Sequence, residues 1–102
     1  MPEYHAPRRD MMFVLTELAG LADIAEFPAY EDATAETAAA ILDEAEKLAT
    51  QVLAPLNQSG DTAGCVCHDD GSVSTPRGHK EAYGQFVAGG WNGLAFPADF
   101  GG

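Results

Sequence analysis

The chain has 102 residues, and its 16 acidic and 5 basic residues give a formal net charge of −11. This balance argues against binding to nucleic acid or to anionic membranes, since both require basic surface. The hydrophobic fraction of 46% is too high for a disordered chain, and no apolar run approaches the ~18 residues of a membrane-spanning helix. Because the first residues lack the order of a signal peptide, we expect a soluble cytoplasmic protein.

The pattern along the chain predicts a mainly α-helical fold that begins with an extended lead-in and short helices over residues 1–33. Pro2 and Pro7 disfavour helix in the lead-in, and Asp10 is a suitable cap for the first short helix. Gly20 is a plausible end for it, and a second short helix is expected before Pro28. The predicted apolar face of the first helix consists of Met11, Val14, Leu15 and Leu18.

The strongest element is a helix from about Ala35 to Leu56, with Thr34 as its cap. Apolar residues recur along it at helical spacing, so one stripe is expected to be buried. Pro55 is expected to kink or end the helix, because proline lacks an N–H and crowds the preceding turn. The predicted stripe consists of Ala38, Ile41, Leu42, Ala45, Leu48, Ala49, Val52 and Leu56.

The second half of the chain predicts a small β-hairpin near residues 65–74 and one more helix. The dipeptide Asp70-Gly71 is a turn signal between two short segments of the hairpin. The pair Thr75-Pro76 is a typical helix start, and Gly89-Gly90 is expected to end that helix. Its predicted shared face consists of His79, Tyr83, Phe86 and Val87.

The hairpin also carries the only cluster of candidate metal ligands or nucleophiles. Cys65, Cys67 and His68 could offer three ligands, but a structural zinc site needs four, and His79 or His5 would have to supply the last. A Cys/His nucleophilic pair is the second interpretation, although no oxyanion-forming motif accompanies it. A hairpin with free thiols is the interpretation that we favour.

The acidic residues between positions 31 and 46 fit the solvated face of a helix, and the glycines spell no phosphate-binding loop. The sequence therefore assigns no catalytic, cofactor-binding or metal residue.

Several strings, in their order along the chain, resemble a bacterial subgroup of acyl-CoA dehydrogenases, the 3-methylmercaptopropionyl-CoA dehydrogenase-like enzymes. At the start and in the middle of the chain the strings are residues 1–11 with 13–15, and Val-Leu-Ala-Pro-Leu-Asn at 52–57 with Gly60-Asp61 and Gly64-Cys65. Further along they are Thr75-Pro76 with Gly78, and Lys-Glu-Ala-Tyr at 80–83 with Phe86-Val87. The last two are Gly-Gly-Trp-Asn-Gly-Leu at 89–94 and Pro-Ala-Asp-Phe-Gly-Gly at 97–102. The resemblance spans essentially the whole chain. Arg8, Ala35 and His79 depart from the residues usual in the subgroup.

The resemblance implies that the chain is an N-terminal portion of a longer flavoprotein, with residues 34–102 forming the truncated start of its N-terminal helical domain. Such an oxidoreductase of fatty acid metabolism would bind FAD, oxidise acyl-CoA thioesters to 2,3-enoyl-CoA and pass electrons to an electron-transfer flavoprotein. The catalytic glutamate of the family lies downstream, so no residue of this chain inherits its role. The fragment alone is expected to lack FAD and activity, to pack on the remaining domains of the parent, and to self-associate when isolated. The alternative is a stand-alone acidic helical protein-interaction module.

Overall fold

A computed structural model describes residues 3–102 and shows a mainly helical chain with one two-stranded antiparallel hairpin, as predicted. The chain divides into two compact units, Met1–Thr50 and Gln51–Gly102. The α-helices are α1 (Arg8–Phe13), α2 (Leu21–Ile24), α3 (Ala35–Leu48), α4 (Ala54–Ala63) and α5 (His79–Ala88), and the strands are β1 (Val66–Cys67) and β2 (Val73–Ser74). Wider π-helical turns follow α1 at Val14–Leu18 and α3 at Ala49–Leu53, and short 3₁₀ turns cover Pro28–Tyr30, Trp91–Gly93 and Ala98–Phe100.

The first helix begins two residues before the predicted cap. Pro7 occupies the N-cap position of α1, and Asp10 lies within its first turn. A proline just before a helix is favourable because its missing N–H would have no partner there. The prediction that Asp10 caps the helix is therefore wrong, whereas the predicted end holds, because Gly20 takes a left-handed conformation with φ of 68°.

The inward face of the first helix also differs from the predicted one. Met12 and Leu15 are half-buried, whereas Met11, Val14 and Leu18 are exposed. The helix packs against α3, and that contact selects which side is covered. Of the predicted apolar face, only Leu15 therefore points inward.

Thr34 caps α3 as predicted, since its hydroxyl oxygen accepts a 3.1 Å hydrogen bond from the Thr37 N–H. The helical conformation does not end at Pro55, however, but continues through α4 to Ala63. The π-helical turns directly before the proline widen the backbone where its ring would crowd an α-helical turn. All members of the predicted stripe are half-buried rather than fully buried.

The last helix begins three residues later than Pro76, at His79. Gly78 precedes it in a left-handed conformation with φ of 88°, which cannot belong to a right-handed helix. Ala82 is buried and His79 and Phe86 are half-buried, whereas Tyr83 and Val87 face outward. The predicted four-residue face is thus only half correct, and the predicted end at Gly89 is confirmed.

Candidate functional site

The hairpin that carries the cysteines is formed as predicted, with Val66 opposite Ser74 and Cys67 opposite Val73. The turn is held by the His68 N–H, which donates to the Ser72 carbonyl at 2.8 Å. Both thiols, at Cys65 and Cys67, are free and exposed. The local hydrogen bonds therefore shape a small exposed loop that carries both thiols.

The side chain of His68 is hydrogen-bonded within the hairpin. Its Nε2 shares a 2.6 Å hydrogen bond with the Ser74 hydroxyl across the two strands. Among residues 3–102 no three side chains of His, Cys, Asp or Glu gather into a cluster that could hold a metal ion. The described residues of the hairpin therefore assemble no metal-binding cluster.

The turn of the hairpin contains one shifted carboxyl group. The Asp70 carboxylate accepts hydrogen bonds from the Ser72 hydroxyl at 2.6 Å and from the Ser72 N–H at 2.9 Å. These bonds, with the hydroxyl contributing most, hold the pKa of Asp70 below its usual value, because they favour the charged form. The residue is exposed, so the shift reflects turn geometry and not a shielded catalytic acid.

His79, the other histidine considered as a ligand, lies at the start of α5 against the backbone of α4. A β-carbon placed on Gly60 would stand 2.8 Å from the His79 Nε2, so the imidazole packs directly on that glycine. The Nδ1 atom is buried and has no hydrogen-bond partner among the described residues. The structure therefore gives His79 a packing contact in the second unit.

The carboxylates of α3 form an ion-pair network in the first unit. Arg8 reaches them from α1, with its Nη1 2.8 Å from Asp43 and its Nε 2.7 Å from Glu46. Lys47 lies 2.7 Å from Glu44 and 3.3 Å from Asp43, and these two partners, Glu44 first, raise the pKa of Lys47. The network connects two helices on a partly exposed surface, which is a structural role. Sequence reasoning missed the Arg8 contacts because the partners are 35 residues apart.

The glycine-rich end of the chain folds onto itself. A β-carbon on Gly93 would stand 2.7 Å from the Gly101 carbonyl oxygen, and a β-carbon on Gly89 would stand 2.8 Å from the Trp91 Nε1. These glycines are needed for close approach within the chain, and the space beside Gly93 is filled by backbone. The turn therefore packs on itself, with Trp91 lying against Gly89.

The most extensive surface feature is the number of large apolar side chains in contact with solvent. They are Tyr4, Met11, Phe13, Val14, Leu18, Ile24, Phe27, Tyr30, Leu53, Val66, Val73, Tyr83, Val87, Leu94, Phe96 and Phe100. Among the described residues only Ala82 forms a fully buried hydrophobic position, at 4% exposure.

The exposed area of the chain can be compared with that of compact proteins. The chain exposes 8016 Å² at a mass of 10.7 kDa. A compact domain of this mass would expose about 5,500 Å², and two separate compact units of half the mass about 6,600 Å². The large apolar side chains named above contribute to this exposed area and remain available for a partner.

No helix in the described part of the chain is long and apolar enough to cross a membrane. No protein-family model matches the chain.

The comparison with known proteins points to the acyl-CoA dehydrogenases as the class that this chain resembles, which confirms the resemblance read from the sequence. The relative is the 3-methylmercaptopropionyl-CoA dehydrogenase of Ruegeria pomeroyi. The two are 37% identical over 99 residues, which make up 97% of this chain and 17% of that enzyme. The chain thus spans about a sixth of the length of the curated relative that it matches.

Proposed function

We propose that this chain is the N-terminal helical segment of an FAD-dependent acyl-CoA dehydrogenase, and that it supplies packing surface instead of catalytic groups. The observation that carries the proposal is the match of 37% identity over 97% of the chain to an enzyme of that class. Because the match runs through nearly the whole chain, it is better explained by a shared segment of a larger protein than by one shared short motif.

The reaction belongs to the proposed parent protein. By its resemblance, the parent is an oxidoreductase of fatty acid metabolism in the cytoplasm that converts an acyl-CoA thioester to a 2,3-enoyl-CoA. FAD would accept the hydride and an electron-transfer flavoprotein would accept the electrons. No catalytic or flavin-binding residue is proposed in this chain, because the resemblance places the catalytic glutamate of the family downstream of the matched strings.

The exposed apolar surface supports the packing role. Burial of apolar surface stabilises a protein by about 25 cal/mol per Å². The isolated chain lacks this stabilisation for every apolar side chain that it leaves in solvent. In the proposed parent, the remaining domains would cover part of it. The isolated chain is then expected to self-associate at high concentration.

The same surface also fits the second candidate, a stand-alone acidic module that binds a partner protein through its exposed helical faces. The two candidates differ in the gene. A reading frame that continues past Gly102 into a flavoprotein would support the enzyme segment. A stop codon at that position, together with protein of this length in the cell, would favour the module.

The biochemical test is the flavin absorbance and the dye-linked acyl-CoA oxidation of the purified 102-residue chain and of the protein encoded by the complete reading frame. The proposal predicts no bound flavin and no turnover for the chain, and both for the complete protein. Flavin-dependent turnover by the chain itself would refute the placement of the chemistry outside it. A complete protein that lacks flavin and turnover would refute the assignment to the enzyme class.

A further inference from the structure

One stretch of the first unit is both acidic and apolar. Between Asp10 and Glu36 the sequence has seven carboxylates and no lysine, arginine or histidine. The carboxylates are Asp10, Glu17, Asp23, Glu26, Glu31, Asp32 and Glu36. We call residues 10–36 the acidic–apolar segment.

The same segment holds seven of the exposed large apolar side chains: Met11, Phe13, Val14, Leu18, Ile24, Phe27 and Tyr30. The exposure reaches 60% at Phe13, 75% at Leu18 and 62% at Phe27, so these side chains are not covered by the unit that they belong to. Aromatic side chains at this exposure are typical of the centre of a protein–protein interface.

The carboxylates of the segment have no ion-pair partners within the described chain. The acidic residues of α3 differ in this respect, since Asp43, Glu44 and Glu46 are paired with Arg8 or Lys47. A surface that covered the apolar side chains would also bring its own charges close to the seven free carboxylates. Each carboxylate that loses water without gaining a positive partner would oppose binding.

We propose that the acidic–apolar segment is a docking surface for a protein face whose apolar centre is rimmed by lysine and arginine. Charge complementarity selects this occupant, because basic side chains at the rim would meet the carboxylates while the apolar centre covers the aromatic residues. A second copy of the chain would instead bring a formal charge of −11 toward an equally acidic surface, so the self-association expected at high concentration should be weaker than binding of a basic-rimmed face. The inference rests on exposure and charge alone and does not depend on the proposed enzyme class.

The test uses the 102-residue chain and two synthetic amphipathic helical peptides with the same leucine face. One peptide carries lysines beside that face, and the other carries glutamates. Binding is measured by isothermal titration calorimetry at low and at physiological salt, and the mass of the free chain by sedimentation equilibrium. The lysine peptide is expected to bind at least tenfold more tightly than the glutamate peptide, with a ratio that falls as salt screens the charges.

Two sets of variants locate the surface. The triple change Phe13→Ser, Leu18→Ser and Phe27→Ser removes exposed apolar groups and should weaken binding of the lysine peptide at least tenfold. The control Tyr83→Ser with Val87→Ser alters exposed apolar residues of the second unit and should change the affinity for the lysine peptide less than twofold. Circular dichroism checks that each variant keeps its helices.

A further variant, with Asp23→Asn and Glu26→Gln, leaves every apolar side chain in place and should reduce binding several-fold at low salt only. Equal binding of the two peptides, or no binding of either, would overturn the proposal. So would an equal loss of binding in the control variant. A dimer of the free chain at low salt that the triple serine variant dissolves would show that a second copy is the occupant instead.

Discussion

Gly84 lies in the middle of α5, where a β-carbon would meet no atom within 4 Å outside the helix backbone nearby. Alanine is favoured over glycine in a helix interior by about 0.8–1.0 kcal/mol, chiefly because glycine loses more backbone freedom on folding. With no packing cost to subtract, the change Gly84→Ala should raise the free energy of unfolding by about 1 kcal/mol. For a chain of this size that corresponds to a rise in Tm of roughly 4–8 °C.

The measurement is thermal unfolding followed by circular dichroism at 222 nm, with the original chain and Gly78→Ala as comparisons. Gly78 has φ of 88°, and a β-carbon there would stand 2.8 Å from the Leu56 Cδ2. A left-handed conformation costs a non-glycine residue roughly 1–2 kcal/mol, so this control should lower Tm. A Tm for Gly84→Ala at or below that of the original chain would show that the outer face of α5 is not open as described.

Three further changes test single contacts of the structure. Arg8→Met should lower the free energy of unfolding by about 0.4–2 kcal/mol in urea titrations, because two partly exposed ion pairs to α3 are lost. The side chain of Arg9 has no ion pair in the described chain, so the control Arg9→Met should change the free energy of unfolding by less than about 0.5 kcal/mol. An equal loss of stability in both variants would contradict the role of the Arg8 ion pairs. Thr34→Ala should lower it by about 1 kcal/mol, whereas Thr34→Ser, which keeps the capping oxygen, should not. The extra stability that the charged Asp70 gives the hairpin should be complete above the ordinary carboxyl pKa and be lost as pH falls through the lowered pKa, since the carboxylate accepts the two bonds more strongly than the neutral acid. Ser72→Ala should move the Asp70 pKa, followed by NMR, back toward its usual value, and an unchanged pKa would contradict that cause.

The features that the sequence predicted correctly are those that depend on neighbours a few residues apart. The cap at Thr34 needs only the N–H of Thr37, and the hairpin turn at Asp70-Gly71 needs only residues on either side of it. Glycine ends helices by its own conformational freedom, as at Gly20 and at Gly90, which follows Gly89 in a left-handed conformation with φ of 79°. Such local chemistry is present in the sequence itself.

The predictions that failed concern the position of a helix start or the choice of a buried face. A helical repeat shows that a helix has an apolar side, but the exposed Tyr83 and the buried Ala82 are adjacent and both are compatible with that repeat. Which of them is covered depends on the element that packs there. For Pro55 the sequence leaves open a kink or an end of the helix, and the structure shows that the chain stays helical, with π-helical turns interrupting the α-helix before the proline.

For the candidate site, too, the sequence predicted local features and not those that depend on distant contacts. The sequence alone identified the cysteine-containing hairpin and assigned it no chemistry, and its prediction that the site residues of the parent lie outside this chain stays a prediction. The exposure of the aromatic side chains in the acidic–apolar segment could not be read from the sequence, because apolar residues are normally expected inside.

By itself, the sequence determined that this is an acidic, mainly helical chain with one hairpin and a resemblance to acyl-CoA dehydrogenases. Helix caps, turns and residue strings are local properties, and they need no knowledge of distant contacts. Only the tertiary structure decided that Arg8 bridges to α3, that His79 packs on Gly60, and that large apolar side chains stay in solvent. Those outcomes depend on contacts between residues far apart in the chain, where small differences in packing select one arrangement among several that the local pattern allows.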